Sequence, residues 1–579
     1  MSLRNKNILL VCPVFPPTYW GMRYTLETVF KKTAMPPLGL MTIAAMGPSD
    51  LNYRLIDLNC RPLADEDLHW ADVVCFTAML SQARSLVEVA GRAREAGKPV
   101  VAGGPYATAC VEACRPICDA VVTNEGEITW PRFLEDLENG RLQEVYATDQ
   151  KADLSRSPCP RFDLLNFADY ASIGVQFSRG CPFHCEFCDV TALFGHEVRT
   201  KSPSQLIVEI DTIFRLGHRG AIFVADDNFI GDRGQAGRLL GELRSWNERN
   251  RHPFYYLTQA SLNLAYDRAF LDQMVEADFK GVFLGIETPS IESLKETKKL
   301  QNIGRSLLDS VETIQKAGMV VHGGFIIGFD NDGEDIFDRQ IEFIRQAAIP
   351  NAFIELLSAF PGTALYGRMK EEGRLKEWKE ENLADGSTNI KTVLSERRLL
   401  EGYSRVLQTL YSPEAYFERT FRQFSRLPRP DSRKVRLENL LLLRPYTAGL
   451  FRPRGERRKR PRGSRFAPMR ALGRFFKTLS PPYRAHALRF LIRILKKYPE
   501  RLPGAILYVF TGAHFYRYTY DHLVPRIDGV LKGIPSDGVG PGNLPGTATT
   551  RLNRSANGSG SDTPGSTQTS SGCLRKLSR

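Results

Sequence analysis

Three cysteines, Cys181, Cys185 and Cys188, stand in the stretch SRGCPFHCEFCDV, and their C-x3-C-x2-C spacing lets one loop present three thiolates to a single inorganic centre. A [4Fe-4S] cubane has four irons, so three thiolates leave one iron open to bind a substrate or cofactor directly, whereas an electron-transfer cluster normally has four ligands. An open iron implies chemistry at the cluster. Structural zinc is the competing reading, with His184 completing a Cys3His set. Against it, adjacent ligands at 184 and 185 would strain one tetrahedron, and zinc ligands usually come as two separated pairs. A second series, Cys110, Cys114 and Cys118, recurs at i, i+4 and i+8 and so lines one helical face. These read as small buried hydrophobes rather than cluster ligands. Cys12, Cys60, Cys75 and Cys159 read as core or connector thiols.

The cysteine loop begins where a strand ends, and the surrounding sequence repeats a strand-then-helix rhythm. From Pro158 to Phe162 a proline-containing connector leads into β-rich runs near Gly174–Phe177, Ala221–Val224, Phe254–Leu257, Val282–Ile286, Val320–Ile327 and Phe353–Leu357. Six βα units predict a partial barrel, whose strand ends converge on one point. Ser202, Pro203 and Gln205 supply the N-cap, first-turn proline and capping-box partner of the helix between the first two strands. Upstream, runs at Ile8–Val11, Tyr53–Ile56, Val73–Phe76, Val100–Ala102 and Ala120–Thr123 predict a parallel, doubly wound sheet with ligands at the carboxyl ends of its strands. The loops there read Thr77-Ala78-Met79, Gly103-Gly104-Pro105 and Asn124-Glu125-Gly126-Glu127.

The cysteine spacing, with aromatic Phe187 just before the last ligand, resembles the signature of the radical S-adenosylmethionine (SAM) superfamily. The resemblance implies that the open iron chelates the amino and carboxylate groups of SAM, and that an electron from the cluster cleaves SAM to methionine and a 5′-deoxyadenosyl radical. Asp226, Asp227 and Asn228 of VADDNFIG fall where the family contacts the amino end of SAM; turn and helix-cap residues are the alternative reading. Gln259, Ser261 and Glu287 resemble its ribose-contacting positions. Gly328 of GGFIIGFD and the AFPGT loop resemble its adenine-side elements. The sheet with GGP and NEGE loops resembles the cobalamin-binding domain of one large branch, which would put Thr77, Ala78, Met79, Gly103, Gly104, Pro105, Glu125 and Gly126 against cobalamin. PPLGL, DDNFIG, GIETP, PGTALYGRMKEEGRL and SPEAYFERTF resemble the subgroup that contains the hopanoid C-2 methylase. The loop after the first strand, CPVFPPTYW, lacks the Asp-x-His-x-x-Gly that would supply a histidine to the lower face of cobalt.

The expected organisation is a Rossmann-like cobalamin-binding domain (1–145), a connector (146–168), a radical SAM partial (β/α)6 barrel (169–400), a helical basic region (401–534) and a disordered Gly/Ser/Thr/Pro-rich tail (535–579). The net charge of +13 is uneven: Phe451 to Glu500 holds sixteen Lys/Arg against two acids, an excess of +14, so the rest sums to −1. ALRFLIRILKKYPERLPGAILYVF alternates cationic and large apolar residues, as an interfacial helix on anionic lipid does. Residues 451–530 are therefore expected to touch a membrane surface or to cap the barrel; a nucleic-acid partner is disfavoured, because the implied reaction needs no template. No apolar run reaches the roughly 18 residues of a membrane span. The odd count of eleven cysteines fits a reducing cytoplasm better than a disulfide framework.

The implied activity is cobalamin-dependent methylation of an unactivated carbon on a lipid-like or other small molecule, with an electron donor such as a flavodoxin or ferredoxin as partner. A non-methylating radical rearrangement, oxidation or cyclisation is the alternative from the same family. A zinc-stabilised binding module for nucleic acid or membrane is the alternative from another class.

Overall fold

The computed structural model describes residues 4–377, 386–429 and 475–534. The tail 535–579 and residues 430–474, which hold much of the basic run, lie outside the described residues.

The first sheet contains β1 (Asn7–Cys12), β2 (Asn52–Asp57), β3 (Val73–Thr77), β4 (Val100–Gly103), β5 (Ala120–Val122) and β6 (Val145–Tyr146), all parallel, in the order β2-β1-β3-β4-β5-β6. β1, β3 and β4 are Val- and Ile-rich and buried on both faces, as helices on either side require. Chain order reverses between β1 and β3, which opens a crevice at their carboxyl ends.

The second sheet contains β7 (Ile173–Val175), β10 (Gly220–Val224), β11 (Phe254–Ala260), β12 (Phe279–Glu287), β13 (Val320–Ile327) and β14 (Ala352–Leu356), parallel and in strict sequence order. Between its first two strands, β8 (Ser178–Arg179) and β9 (Arg199–Thr200) pair antiparallel and clamp the two ends of the cysteine loop. The helix Pro203–Arg215 opens as its sequence predicts, with the Ser202 hydroxyl accepting from Gln205 N and Gln205 Oε1 accepting from Ser202 N.

Burial alternates along β11, β12 and β13 with period two: one face is fully buried against helices, while the other is only half-buried. A closed eight-stranded barrel fills its interior with side chains. Here six strands make an open arc, and its inner face surrounds a hollow.

The C-terminal helices Pro481–Lys497, Leu502–Tyr518 and Val524–Gly533 join this body through aromatic packing. Phe515 stacks on Tyr19 and Tyr411 and lies edge-on to Phe353 of β14. The Tyr19 and Thr519 hydroxyls are 2.7 Å apart, and Thr25 donates to Phe510 O. The cysteine series at 110–118 departs from one continuous helical face. The helix Gly104–Ala109 ends at Cys110 and a short turn, Val111–Cys114, follows, so the three reach the same apolar core from separate segments.

Candidate active site

The cysteine loop leaves β8 through Gly180, whose φ is +91 and whose hypothetical Cβ would lie 2.3 Å from Glu197 O. Only glycine fits that crossing. Ionic clasps grip the loop on both sides. On one, Arg179 donates to Glu125 and Glu127 of the first sheet's NEGE loop at 2.7–2.9 Å, and Arg199 of β9 shares Glu125. On the other, Glu186 accepts from Arg368, which also reaches Asp330. Backbone bonds from Glu186 N to Thr297 O and from Leu365 N to Glu186 O add to the second clasp.

The thiols converge. Cys181 and Cys188 each feel the charge of Cys185 and of Lys299. Burial pushes the Cys181 thiol up and the Cys188 thiol to about 12, so a polyvalent cation is what would hold them as thiolates. Gln301 Nε2 donates to Cys185 Sγ at 3.4 Å. Phe187 packs at the edge of a small core with Phe329, and Lys299 Nζ lies 5.8 Å from its ring centre. His184 is exposed with its ring 4.0 Å from that of His196, and among the described residues no three His, Cys, Asp or Glu side chains form a mononuclear metal site. Three cysteine thiols on one loop, with a buried lysine beside them, can hold a cubane, which spreads its ligands over separate corners.

The acidic run after β10 divides by burial. Asp226 is fully buried, and its carboxylate accepts from Phe177 N, Ser178 N and Ser178 Oγ at 2.6–3.0 Å. It ties β7 and β8 to β10 and has no face left for a ligand, which corrects the expectation that it could contact SAM: it is the turn residue of the alternative reading. Asn228 uses Oδ1 to accept from Ser261 N, while its Nδ2 is buried without a partner among the described residues. The Ser261 hydroxyl lies 2.6 Å from Asn263 Oδ1, so that side chain is also taken up locally. Asp227 is half-buried and, among the described residues, accepts a hydrogen bond from Gly180 N alone. Burial, with Asp226 and Asp189 nearby, raises its carboxyl to about 7. Gln259 is half-buried at the end of β11.

Glu287 ends β12 after a shift in register, with a left-handed φ of 68. Bulges and rare backbone angles re-aim side chains at functional sites, and here the carboxylate accepts from Lys299 Nζ at 2.6 Å. Burial would lower the lysine, but Glu287 and the Cys185 and Cys188 thiols more than offset it and hold it charged. Gly328 N and Phe329 N both donate to Asp332 Oδ2, and Ser293 Oγ to its Oδ1, which fixes the loop after β13.

Thr77, Ala78, Met79, Gly103, Gly104, Pro105, Glu125 and Gly126 all line one cavity of about 880 Å³ at the carboxyl ends of β1, β3, β4 and β5. Gln176, Arg179 and Ala225 of the second sheet's end close its far side. Val14, Phe15, Trp20, Met35 and Met79 stand exposed on its wall, the mark of a site for a large apolar-faced ligand. Glu125 is a partial exception: its side chain is wholly buried by the two arginines, with Oε1 unpartnered among the described residues. Its place is therefore structural, between sheet and loop, rather than on the ligand face. Among the described residues no histidine lines the cavity. Arg179, Lys299 and Trp20 were not singled out from the sequence; the position of Arg179 immediately before Gly180-Cys181 was the one available signal.

Residues 175–344 match the model of the radical SAM superfamily, and residues 363–524 match a domain of unknown function, DUF4070. An uncharacterized methyltransferase of Synechocystis sp. is 41% identical over 77% of this chain and 83% of its own. The hopanoid C-2 methylase of Rhodopseudomonas palustris is 33% identical over 72% of this chain and 79% of its own. Two solved structures share the fold. The cobalamin-dependent SAM radical enzyme OxsB has a TM-score of 0.55 at 14% identity, over 92% of this chain and 84% of its own. The radical SAM methyltransferase TsrM of Kitasatospora setae has 0.51 at 16%, over 64% and 78%. The open six-stranded arc, the three-cysteine loop at its mouth, the wound sheet beside it and these two long matches lead to one conclusion: the chain belongs to the radical SAM superfamily, in the cobalamin-binding-domain branch that includes the hopanoid C-2 methylase.

Proposed function

We propose that this enzyme methylates an unactivated carbon of a largely apolar small molecule, using a [4Fe-4S] cluster on Cys181, Cys185 and Cys188, SAM at the barrel mouth and cobalamin in the 880 Å³ cavity. The observation that supports the reading is that this apolar cavity, at the strand ends of the first sheet, is also lined by Gln176, Arg179, Leu193, Phe194 and Ala225, from the second sheet's end and from either side of the cysteine loop. When bound, the cluster supplies the electron that cleaves SAM, and cobalamin carries the methyl group. The chain's own residues do the rest. Asp227 offers its half-buried carboxylate to the SAM ammonium, with Asn228 Nδ2 as a donor beside it. Glu287, aimed by the bulge and Lys299, together with Gln259, faces the ribose; the loop fixed by Asp332 shapes the adenine side. The two ionic clasps hold the loop against both sheets, so that the three sites keep their spacing, and the aromatic cap excludes water from the hollow. Thr77, Ala78, Met79, Gly103, Gly104, Pro105 and Gly126 would hold cobalamin along the strand ends of the first sheet. A flavodoxin- or ferredoxin-class donor provides the electron.

Incubation with SAM, a strong one-electron reductant and a candidate lipid pool tests the reaction. Equal yields of S-adenosylhomocysteine and 5′-deoxyadenosine are expected; 5′-deoxyadenosine without stoichiometric S-adenosylhomocysteine would assign a rearrangement or oxidation instead.

The same reading places the enzyme in the cytoplasm against a membrane. No helix among the described residues is long and apolar enough to cross one. The helix Pro481–Lys497 buries Tyr483, Ala487, Phe490 and Ile494 against the helix Pro413–Arg426, yet its opposite face exposes Leu488, Ile492 and Leu495 at helical spacing beside Arg489, Lys496 and Lys497. That pattern suits an anionic bilayer surface. Wild-type protein is expected to co-sediment with phosphatidylglycerol vesicles, and the triple variant L488E/I492E/L495E to stay in the supernatant; equal pelleting of the two would remove the membrane contact.

A further inference from the structure

The barrel hollow contains an acid that the cluster, SAM and cobalamin sites leave unused. Glu355 is on β14, one residue before its end, and is exposed, whereas Ile354 and Leu356 beside it are buried. Its exposure is to the hollow, because the residue stands on the inner face of the sheet, surrounded by protein. Trp20, from the loop after β1, reaches across from the first sheet and lies flat on Phe353, ring centres 4.0 Å apart at 23°, and 4.8 Å from Phe283 of β12. Its indole Nε1 donates to Glu355 Oε1 at 3.2 Å. Glu355 Oε2 has no hydrogen-bond partner among the described residues. Burial, eased by Trp20 and reinforced by Glu287, raises its carboxyl above the ordinary range, so Glu355 shares the hollow with the proposed ribose contact. Trp20 is 48% exposed and also lines the 880 Å³ cavity, so it forms the wall between that cavity and the hollow.

An exposed aromatic wall with one unsatisfied carboxyl oxygen is a site for a ligand of matching chemistry. Such sites bury an apolar body and orient it by a few polar groups, and a carboxyl oxygen that faces the hollow is open to the donor of an entering ligand. We infer that Trp20, Phe283 and Phe353 hold a ring-bearing, mostly apolar substrate, and that Glu355 Oε2 accepts a hydrogen bond from its one polar donor group. Trp20 is then a positioning residue, held by Glu355, that sets the substrate against the cobalamin cavity. This deepens the methylation reading by naming the substrate class, but its test needs no turnover, so the two fail separately.

The test is equilibrium binding to full-length, cluster-reconstituted protein of two matched probes, 2-tetralol and its hydrocarbon parent tetralin, followed by calorimetry and by indole fluorescence. Wild type is expected to prefer the alcohol by about tenfold, the worth of one hydrogen bond to a charged or partly charged acceptor. Glu355→Leu should abolish that preference while still binding tetralin, and Glu355→Gln, whose amide oxygen remains an acceptor, should retain part of it. The fluorescence change should vanish in Trp20→Phe. Iron content and thermal midpoint, measured on each variant, separate loss of the subsite from loss of the fold. Equal affinity for the two probes in wild type, an undiminished preference in Glu355→Leu, or no binding of either probe would overturn the inference.

Discussion

Individual side chains here divide sharply between those that build the site and those left to face a ligand, and neighbours in sequence fall on opposite sides of that division. Asp226→Ala would leave Phe177 N, Ser178 N and the Ser178 hydroxyl without their acceptor, so a loss of about 3 kcal/mol or more in denaturant unfolding is expected. Asp227→Asn should unfold within about 1 kcal/mol of wild type yet weaken SAM binding by about tenfold, since one charge-assisted contact is removed. Replacing Cys181, Cys185 or Cys188 singly by alanine should drop iron after anaerobic reconstitution from about four per chain toward zero, read by iron and sulfide analysis. Asp332 adds a pH signature. Burial raises its carboxyl from the ordinary 3.8 to about 6, so its contribution to stability is full below about pH 4 and lost as pH rises through 6. The thermal midpoint of wild type relative to Asp332→Asn should therefore shift in favour of wild type between pH 8 and pH 5, by the equivalent of about 1.4 kcal/mol.

The elements matter through their joints. The β8–β9 pair and the NEGE loop belong to different sheets and are joined by Arg179 and Arg199 on one side and Glu125 and Glu127 on the other, a group whose side chains are 13% exposed or less. Removing one partner of a buried ion pair leaves an uncompensated charge, which costs about 3–5 kcal/mol. Arg179→Ala is thus expected to lower stability by that order and to reduce cluster retention, which a lysine at 179 would restore only in part, because an ammonium cannot serve both carboxylates in the planar geometry of guanidinium. β12 carries a comparable joint. A Cβ at Gly285 would come within 2.5 Å of Glu287 Oε1 and 2.9 Å of Lys299 Nζ. Gly285→Ala should therefore displace the Glu287–Lys299 pair and weaken SAM binding, read by titration calorimetry, while the fully buried face of β12 keeps the sheet intact.

On the scale of the whole molecule, the C-terminal helices pack against the last strand of the second sheet and the loop after β1. Tyr19, Tyr411, Phe353 and Phe515 form one aromatic stack that joins the loop after β1, the helix Glu396–Tyr411, β14 and the helix Leu502–Tyr518. A chain ended after residue 429 would bare this stack and release the loop that carries Trp20. It should lose near-ultraviolet dichroism and cooperative unfolding while keeping far-ultraviolet helix and strand signal, the behaviour of a compact state without fixed packing.

Much of this was legible before any coordinate. The cysteine spacing, the two βα series and the loops at strand ends are local patterns, written in turn chemistry and in runs of β-branched residues, and strands such as Val320–Ile327 lie where the β-rich run puts them. Every proposed cobalamin contact lines one cavity because ligands gather where strand order reverses, a property of topology that a run of crossovers already implies. What sequence could not supply was the sense of each side chain in three dimensions. Asp226, Asp227 and Asn228 are chemically near-equivalent in a string, and only the burial of the β7–β10 corner decides which keeps a free oxygen. Arg179 acquires its role from partners about fifty positions upstream, and Trp20 and Glu355 meet across a separation of 335 residues. Long-range pairs like these are set by how sheets and caps pack, and no periodicity in the chain encodes them. The three cysteines declared the chemistry; the packing of one sheet against the other decided which side chains surround it.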